Sequence, residues 1–225
     1  MPIRQSIAHL IRASASGALL GALVLLSACD REPAPTQSET RTGSAEAWTQ
    51  FVDRFIEDYF KAQPAAAVMS GRHEFDGQLP DWSADGIRAE IARLEKLRAE
   101  VLEFGDEQLP TADLRFQRDY VLSRIDHDLF WLRDARQPFT NPSFYFNVGL
   151  DPSTYVSVPY APPEQRLKAF VSYALALPTA AQQIRANLGG SPLPRTFIDF
   201  GVAGFGGLAE FFRTDVPQAF AEVQD

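Results

Sequence analysis

Residues 71–77 (GRHEFDG) hold the side chains best suited to chemistry, an imidazole next to two carboxylates. His73 and Glu74 begin like the helix of a zinc peptidase, which needs a second histidine four residues after the first. Gly77 stands at that position and glycines bracket the segment, which predicts a loop and excludes a zinc helix. Two interpretations remain. Either His73, Glu74 and Asp76 line a cleft as ligand contacts or as groups supporting such contacts, or they satisfy the backbone of their own loop.

Ser123 and His127 stand four residues apart in a predicted helix, with Asp126 and Asp128 beside them. Catalysis by a nucleophile, a base and an orienting acid requires the three side chains to form a hydrogen-bonded chain. Successive helical residues point about 100° apart, so the two carboxylates and the imidazole between them cannot converge. We therefore interpret these residues as solvated charges and local ion pairs, such as Arg124 with Asp128.

Helical periodicity stops between residues 137 and 163, which contain six prolines among many aromatic side chains. This composition predicts one long Pro/aromatic loop, and a loop of this length is more often functional than a short connection. Its rings either wall a groove that accepts an extended peptide or sugar, or pack at the end of a helical bundle. The hydroxyls of Tyr145, Tyr155 and Tyr160 are the candidates for orienting a ligand in such a groove.

Residues 204–209 (GFGGLA) fit a loose dinucleotide-binding pattern, G-x-G-x-x-A. The pattern has meaning only after a strand and within a βαβ unit, and the sequence has no repeated strand–helix alternation. We interpret these small residues as a place where two helices approach closely, with a hinge as the second choice.

Apolar residues recur at helical spacing through most of the remaining chain, and no segment alternates as a strand would. Ser83 and Thr111 are suited to cap two long helices, and the short connection between these helices predicts antiparallel packing. The sequence therefore predicts an all-α fold, a multi-helix array of antiparallel helices. The predicted helices cover about residues 45–62, 64–69, 83–104, 111–136, 163–177, 179–189 and 195–213.

Residues 1–28 have the features of a secretory signal peptide, with early arginines and a short apolar core. The end of this segment before Cys29 resembles the lipobox of bacterial lipoproteins, which implies lipid on the Cys29 sulfur and a membrane as partner; the alternative is a buried structural cysteine. Asp30 resembles a signal for retention at the inner membrane, on the periplasmic face of the cell envelope. Residues 29–46 are predicted to form a flexible tether before a helical domain over 47–225.

Composition narrows the classes of function. The formal net charge of −8 excludes a nucleic-acid binder, because phosphate contacts need a basic face. A single cysteine excludes an internal disulfide framework and a cysteine-rich zinc site. Three scattered histidines argue against a complete histidine-based metal centre, so no cofactor is expected within this chain.

Several short motifs follow one another along the chain: GRHEFDG at 71–77, LPDWS at 79–83, Asn141-Pro142 with Tyr145, APPEQRL at 161–167, and Leu177-Pro178 leading to RANL at 185–188. Their order and spacing resemble the amino-terminal half of the bacterial "domain of unknown function 885" family over about residues 47–225. The resemblance implies an exported, mostly helical protein related to HExxH-type zinc peptidases, with zinc in full-length members. In that family the metal-binding helix lies downstream, so no zinc ligand or catalytic residue is assigned here.

Two hypotheses about function follow. In the first, the chain is the helical, non-catalytic half of a lipid-anchored zinc metallohydrolase that acts on peptides in its full-length form. It is then an incomplete half of a larger fold, inactive alone, with an uncovered apolar surface predicted at Phe205, Phe211, Phe212 and Phe220. In the second, it is a complete, non-enzymatic envelope lipoprotein that binds a partner or ligand through its aromatic loop.

Overall fold

The computed structural model describes residues 37–190 and 192–223, and within these ranges the regular structure is entirely helical, which confirms the all-α prediction. Predictions for residues 1–36, including the signal peptide, Cys29 and Asp30, lie outside the described residues. The helices are α1 (Gln37–Ala62), α2 (Pro64–Met69), α3 (Ala84–Leu102), α4 (Ala112–Leu129), α5 (Gln137–Thr140), α6 (Ser143–Tyr145), α7 (Ser153–Ser157), α8 (Pro163–Leu188), α9 (Arg195–Arg213) and α10 (Asp215–Ala219).

The caps of α3 and α4 are formed as the sequence predicts. The backbone N–H of Gly86 donates to Ser83 Oγ at 3.0 Å, and that of Leu114 donates to Thr111 Oγ1 at 3.2 Å. Each hydroxyl satisfies one of the N–H groups that a helix leaves free in its first turn. The direction of the chain at the start of both long helices is therefore set by local sequence.

Helices α3 and α4 run antiparallel, and α1 packs against both. Arg98 of α3 pairs with Asp126, whereas Glu95, one turn earlier, pairs with Arg133, so the two helices run in opposite directions. Trp48 of α1 donates through Nε1 to Gln117 Oε1 at 3.1 Å. The core between these three helices consists of Trp48, Phe51, Val52, Phe55, Leu94, Leu97, Val101, Leu109, Val121, Ile125 and Leu129.

Helix α8 organises the rest of the described chain. Its Phe170 and Tyr173 pack with Phe212 from α9, while Ile184 belongs to a cluster with Trp82. Pro178 lies inside α8 without ending it, although an internal proline removes a backbone hydrogen bond. Buried residues before and after the proline lie on the same face of α8 and keep the helix continuous. The predicted division into two helices is therefore wrong.

Two other segments differ from prediction. Helix α1 begins at Gln37, so residues 37–46 of the predicted tether are helical. Residues 137–163 are less irregular than predicted, because they fold into α5, α6 and α7, and the helical backbone after α6 continues from Phe146 until the non-helical Val148 and Gly149. A proline lies next to the first residue of each of the three short helices, namely Pro138, Pro142 and Pro152, where a missing N–H costs no helical hydrogen bond.

The prediction that four phenylalanines near the end of the chain form an uncovered apolar surface is also wrong. Phe205 packs on Phe146, with ring centroids 5.0 Å apart, and is partly buried. Phe212 and Phe220 pack on Phe170, and Phe211 is partly buried against the same cluster. These phenylalanines cover the interior of the described chain rather than exposing an apolar face.

Candidate functional site

Three side chains from two distant parts of the sequence meet beside the turn that follows α2. His73 Nδ1 lies 3.2 Å from Asp76 Oδ1, and the Tyr160 hydroxyl donates to Asp76 Oδ2 at 3.0 Å. The rings of His73 and Tyr160 stack with centroids 4.0 Å apart and planes within 6° of parallel. We call this group the His73–Asp76–Tyr160 cluster. It brings together three of the residues that the sequence predicts as cleft-lining.

The cluster leaves one ring nitrogen of His73 without a partner among the described residues. Because an ionised carboxylate can only accept, an imidazole bonded to Asp76 through Nδ1 donates there, and its neutral form carries the lone pair on Nε2. Nε2 has no hydrogen-bond partner among the described residues, and the His73 side chain is 31% exposed. Such an imidazole can accept a hydrogen bond from a ligand, or take a proton from one, in an orientation that the carboxylate holds.

Tyr155 lies beneath this turn and supports it. Its hydroxyl accepts a hydrogen bond from the backbone N–H of Gly77 at 2.9 Å. Gly77 has φ +77°, and a Cβ atom there would lie 2.5 Å from Ser172 Cβ, so only glycine fits. Burial raises the pKa of Tyr155, and burial followed by the hydrogen bond to Asp76 raises the pKa of Tyr160. Both phenols therefore remain protonated at neutral pH.

The buried Arg166 of α8 holds the segment that carries Tyr155 and Tyr160. Its Nη1 donates to the carbonyl oxygens of Tyr155 and Val156 at 2.9 and 2.8 Å. Its Nε donates to the carbonyl oxygen of Ala161 at 3.1 Å. The guanidinium thus fixes the backbone on both sides of Tyr160, and we regard Arg166 as a positioning residue of the cluster.

Glu74 does not face His73 in this arrangement but pairs with Arg72. Arg72 also donates to both carboxylate oxygens of Glu57 in α1, at 2.7 and 3.0 Å. These bonds hold the pKa of Glu57 below its ordinary value. The pKa of Glu74 is lowered as well, first by a backbone hydrogen bond and then by Arg72. Both carboxylates stay ionised and form a charged border to the cluster.

Tyr145 is separated from the other candidates. It is fully buried in the cluster of Trp82 and Ile184, its hydroxyl donates to the carbonyl oxygen of Pro138 at 2.6 Å, and it accepts from Asn187 at 3.0 Å. Burial raises its pKa to about 12. Both hydrogen-bonding directions of the hydroxyl are used within the protein, so Tyr145 has none left for a ligand.

The described residues do not fit the zinc site that the family resemblance implies for full-length members. Zinc with catalytic function needs about three protein ligands and an open position. No three histidine, cysteine, aspartate or glutamate side chains converge within residues 37–190 and 192–223.

His127 lies on the exposed side of α4, and its neighbours Asp126 and Asp128 pair with Arg98 and Arg124. Residues 204–209 lie inside α9, so the dinucleotide pattern does not follow a strand.

A groove of about 500 Å³ lies elsewhere, between α3, α4 and the turn after α4. Arg98 and Arg133 line it, and both are already paired with acidic side chains. It is remote in sequence from the cluster, and its charged groups satisfy one another.

Among the described helices, none is long and apolar enough to cross a membrane.

Sequence reasoning missed Arg72 and Arg166, the two arginines that border and position the cluster. Arg72 stands next to His73 in the motif at 71–77, so the sequence placed Arg72 near His73. The sequence did not show that Arg72 pairs with Glu57. Arg166 had one signal, its place after Pro162-Pro163 at the start of a predicted helix, close to the aromatic segment. The bonds to backbone carbonyls could be recognised only in three dimensions.

Together these features define an all-helical protein with a partly exposed, carboxylate-oriented histidine stacked on a tyrosine. Residues 64–225 match the family described as "Bacterial protein of unknown function (DUF885)", and the chain belongs to that family. No curated protein and no solved structure gives a match to the chain.

Proposed function

We propose that this chain is the helical, non-catalytic part of a zinc metallohydrolase of the peptidase type, in which the His73–Asp76–Tyr160 cluster contacts a peptide. The chain belongs to the DUF885 family, and the resemblance of its motifs to that family implies a relation to HExxH-type zinc peptidases, which supports the first part of the proposal. In this proposal, residues other than the described ones bind zinc and carry out hydrolysis, because the described residues offer no set of zinc ligands. The chain's own residues would bind and orient substrate.

The observation that carries the proposal is that Nε2 of the partly exposed His73 has no hydrogen-bond partner among the described residues. Asp76 fixes the imidazole from one side and Tyr160 covers one face of its ring, so the acceptor atom is held rather than mobile. An extended peptide presents backbone N–H groups that can donate to such an acceptor. The charged border formed by Arg72, Glu57 and Glu74 is internally paired and leaves the imidazole as the free polar contact.

Peptide binding can be measured on residues 30–225, which include every described element, through the NMR signals of labelled histidine side chains. A randomised mixture of peptides of about eight residues should shift the His73 signal, while the His127 signal stays in place. His73→Gln should weaken binding at least about fivefold, since one hydrogen bond contributes roughly 1 kcal/mol. His127→Gln is the matched control and should bind as the unchanged chain does.

An unchanged His73 signal at peptide concentrations of about 10 mM, where even a very weak complex forms, would exclude this contact. Equal loss of binding in the His73 and His127 variants would also exclude it.

We also propose that the chain is a lipoprotein anchored through Cys29, held at the periplasmic face of the envelope and retained at the inner membrane by Asp30. The support is the leader-like sequence that ends before Cys29. A chain with formal net charge −8 is repelled by anionic lipid, so attached acyl chains rather than the protein surface would supply the membrane affinity.

A further inference from the structure

The peptide bond between Asp76 and Gly77 joins two residue types that can rearrange together. In an Asp–Gly sequence, the backbone nitrogen of the glycine can attack the side-chain carboxyl carbon of the aspartate. Glycine favours this reaction because it has no Cβ atom to shield its nitrogen or to restrict its backbone. The chain contains two such sequences, Asp76–Gly77 and Asp85–Gly86.

The rearrangement has two steps and leaves the atomic composition of the chain unchanged. In the first step, the Gly77 nitrogen bonds to Cγ of Asp76, the nitrogen loses its proton and the carboxyl group loses hydroxide, which together form one water molecule. In the second step, a water molecule opens the resulting five-membered ring. Opening at the Cγ carbonyl restores aspartate, whereas opening at the main-chain carbonyl gives isoaspartate, in which the backbone runs through Cβ and Cγ.

The fold holds Asp76 and Gly77 in a conformation that does not allow ring closure. Asp76 has φ −53° and ψ 133°, and Gly77 has φ +77°. Together with a hydrogen bond of 3.2 Å from the Gln78 N–H to the Phe75 carbonyl oxygen, these angles define a type II turn. Ring closure requires Cβ of Asp76 to eclipse the Gly77 nitrogen about the Cα–C bond. At ψ 133° this Cβ atom is rotated away from that nitrogen.

Neighbouring side chains also engage both groups that would react. The Gly77 N–H donates to the Tyr155 hydroxyl at 2.9 Å. One carboxylate oxygen of Asp76 accepts from the Tyr160 hydroxyl at 3.0 Å, and the other lies 3.2 Å from His73 Nδ1. The reaction therefore requires a local opening of the turn, in which the nitrogen and the carboxyl group leave these partners.

The sequence Asp85–Gly86 is restrained by different contacts. It lies in the first turn of α3, where the Gly86 N–H donates to Ser83 Oγ at 3.0 Å. This contact belongs to the helix and its cap, so a change at the His73–Asp76–Tyr160 cluster leaves it in place. Asp85 therefore serves as an internal control for Asp76 in the same chain.

From these observations we propose that Asp76 is a modification site that converts to isoaspartate, at a rate that the hydroxyls of Tyr155 and Tyr160 limit. Isoaspartate adds one carbon atom to the backbone and places the carboxylate directly on Cα, so the contacts with His73 and Tyr160 are lost. The conversion needs only water and dismantles the cluster. This proposal goes beyond the proposed function and does not depend on peptide binding.

Isoaspartate can be measured at both sequences by incubating residues 30–225 at neutral pH, digesting them and locating it by mass spectrometry with electron-transfer fragmentation. We expect isoaspartate at Asp76 to form at least about tenfold more slowly in the folded chain than in urea, because only opened molecules react. Tyr155→Phe removes one hydrogen bond and should raise the rate at Asp76 about fivefold. The rate at Asp85 should stay the same.

Tyr160→Phe is a second variant, at a side chain that is only partly buried and whose loss the fold should tolerate. It releases one carboxylate oxygen of Asp76 and should raise the rate there at least about twofold, again without an effect at Asp85. Tyr145→Phe is the matched control, because it removes a buried hydroxyl from a different cluster and should change neither rate.

The NMR signal of labelled His73 tests the consequence for the cluster. It should move as isoaspartate accumulates at Asp76, while the His127 signal stays in place. An unchanged His73 signal in a converted sample would overturn the proposal. So would absence of isoaspartate at Asp76 in urea, equal rates in the folded and unfolded chain, an unchanged rate in either the Tyr155 or the Tyr160 variant, or equal rises at both aspartates in the Tyr160 variant.

Discussion

Arg166→Met should lower the free energy of unfolding by about 4 kcal/mol. The guanidinium donates three hydrogen bonds to the carbonyl oxygens of Tyr155, Val156 and Ala161, and methionine can donate none. Buried acceptors that lose a charged donor cost about 1–3 kcal/mol each, which the packing of the methionine side chain offsets only in part. Urea unfolding followed by tryptophan fluorescence measures the change.

Lys168→Met is the matched control for this prediction. Lys168 lies two residues further along α8 and is exposed, so its replacement should change stability by less than about 0.5 kcal/mol. Because Arg166 fixes the backbone around Tyr160, its loss should also move the NMR signal of His73. An Arg166 variant as stable as the Lys168 variant would mean that the segment between Tyr155 and Ala161 is held by other contacts.

Cys29→Ser should move the protein almost completely from the membrane fraction to the soluble fraction of the bacterial envelope, and should abolish labelling by a fatty acid. Each buried methylene group of an acyl chain contributes about 0.8 kcal/mol of membrane affinity, so several chains on one residue bind strongly. Fractionation of cells that produce the full chain, with detection by antibody, measures the distribution.

Asp30→Ser is the control that keeps the cysteine and should keep the lipid. If Asp30 retains the protein at the inner membrane, this variant should shift to the outer membrane without becoming soluble. Membrane association that survives the Cys29 change would reject the lipid anchor.

Local sequence predicted the elements that local chemistry determines. Ser83 and Thr111 cap their helices because a hydroxyl and the N–H three residues later lie in one stretch of chain. The boundary at Pro178 was wrong because buried residues on both sides, Tyr173 and Ile184, keep the helix continuous, and only tertiary structure shows that burial. The start of α1 was predicted too late, since the polar residues before Trp48 carry no apolar pattern.

The candidate site was predictable in part, because two of its residues are close together in the sequence. His73 and Asp76 are three residues apart, and their contact follows from the turn that joins them. Tyr160 was a candidate because its hydroxyl can orient a ligand. Its contact with Asp76, however, spans 84 residues and depends on how α8 positions the preceding segment. Tyr145 was chosen on the same basis and lies in a different cluster, because sequence composition cannot distinguish a tyrosine that faces solvent from one in the core.

The most direct test is the zinc content of residues 30–225 after incubation with excess zinc and removal of free metal. One imidazole nitrogen at His73, with Asp76 already engaged, is fewer than the three ligands that hold catalytic zinc. We predict zinc far below one ion per chain and no chelator-sensitive hydrolysis of peptides. One firmly bound zinc per chain, together with peptide hydrolysis that a chelator abolishes, would contradict the proposed division between a binding part and a separate metal-bearing part.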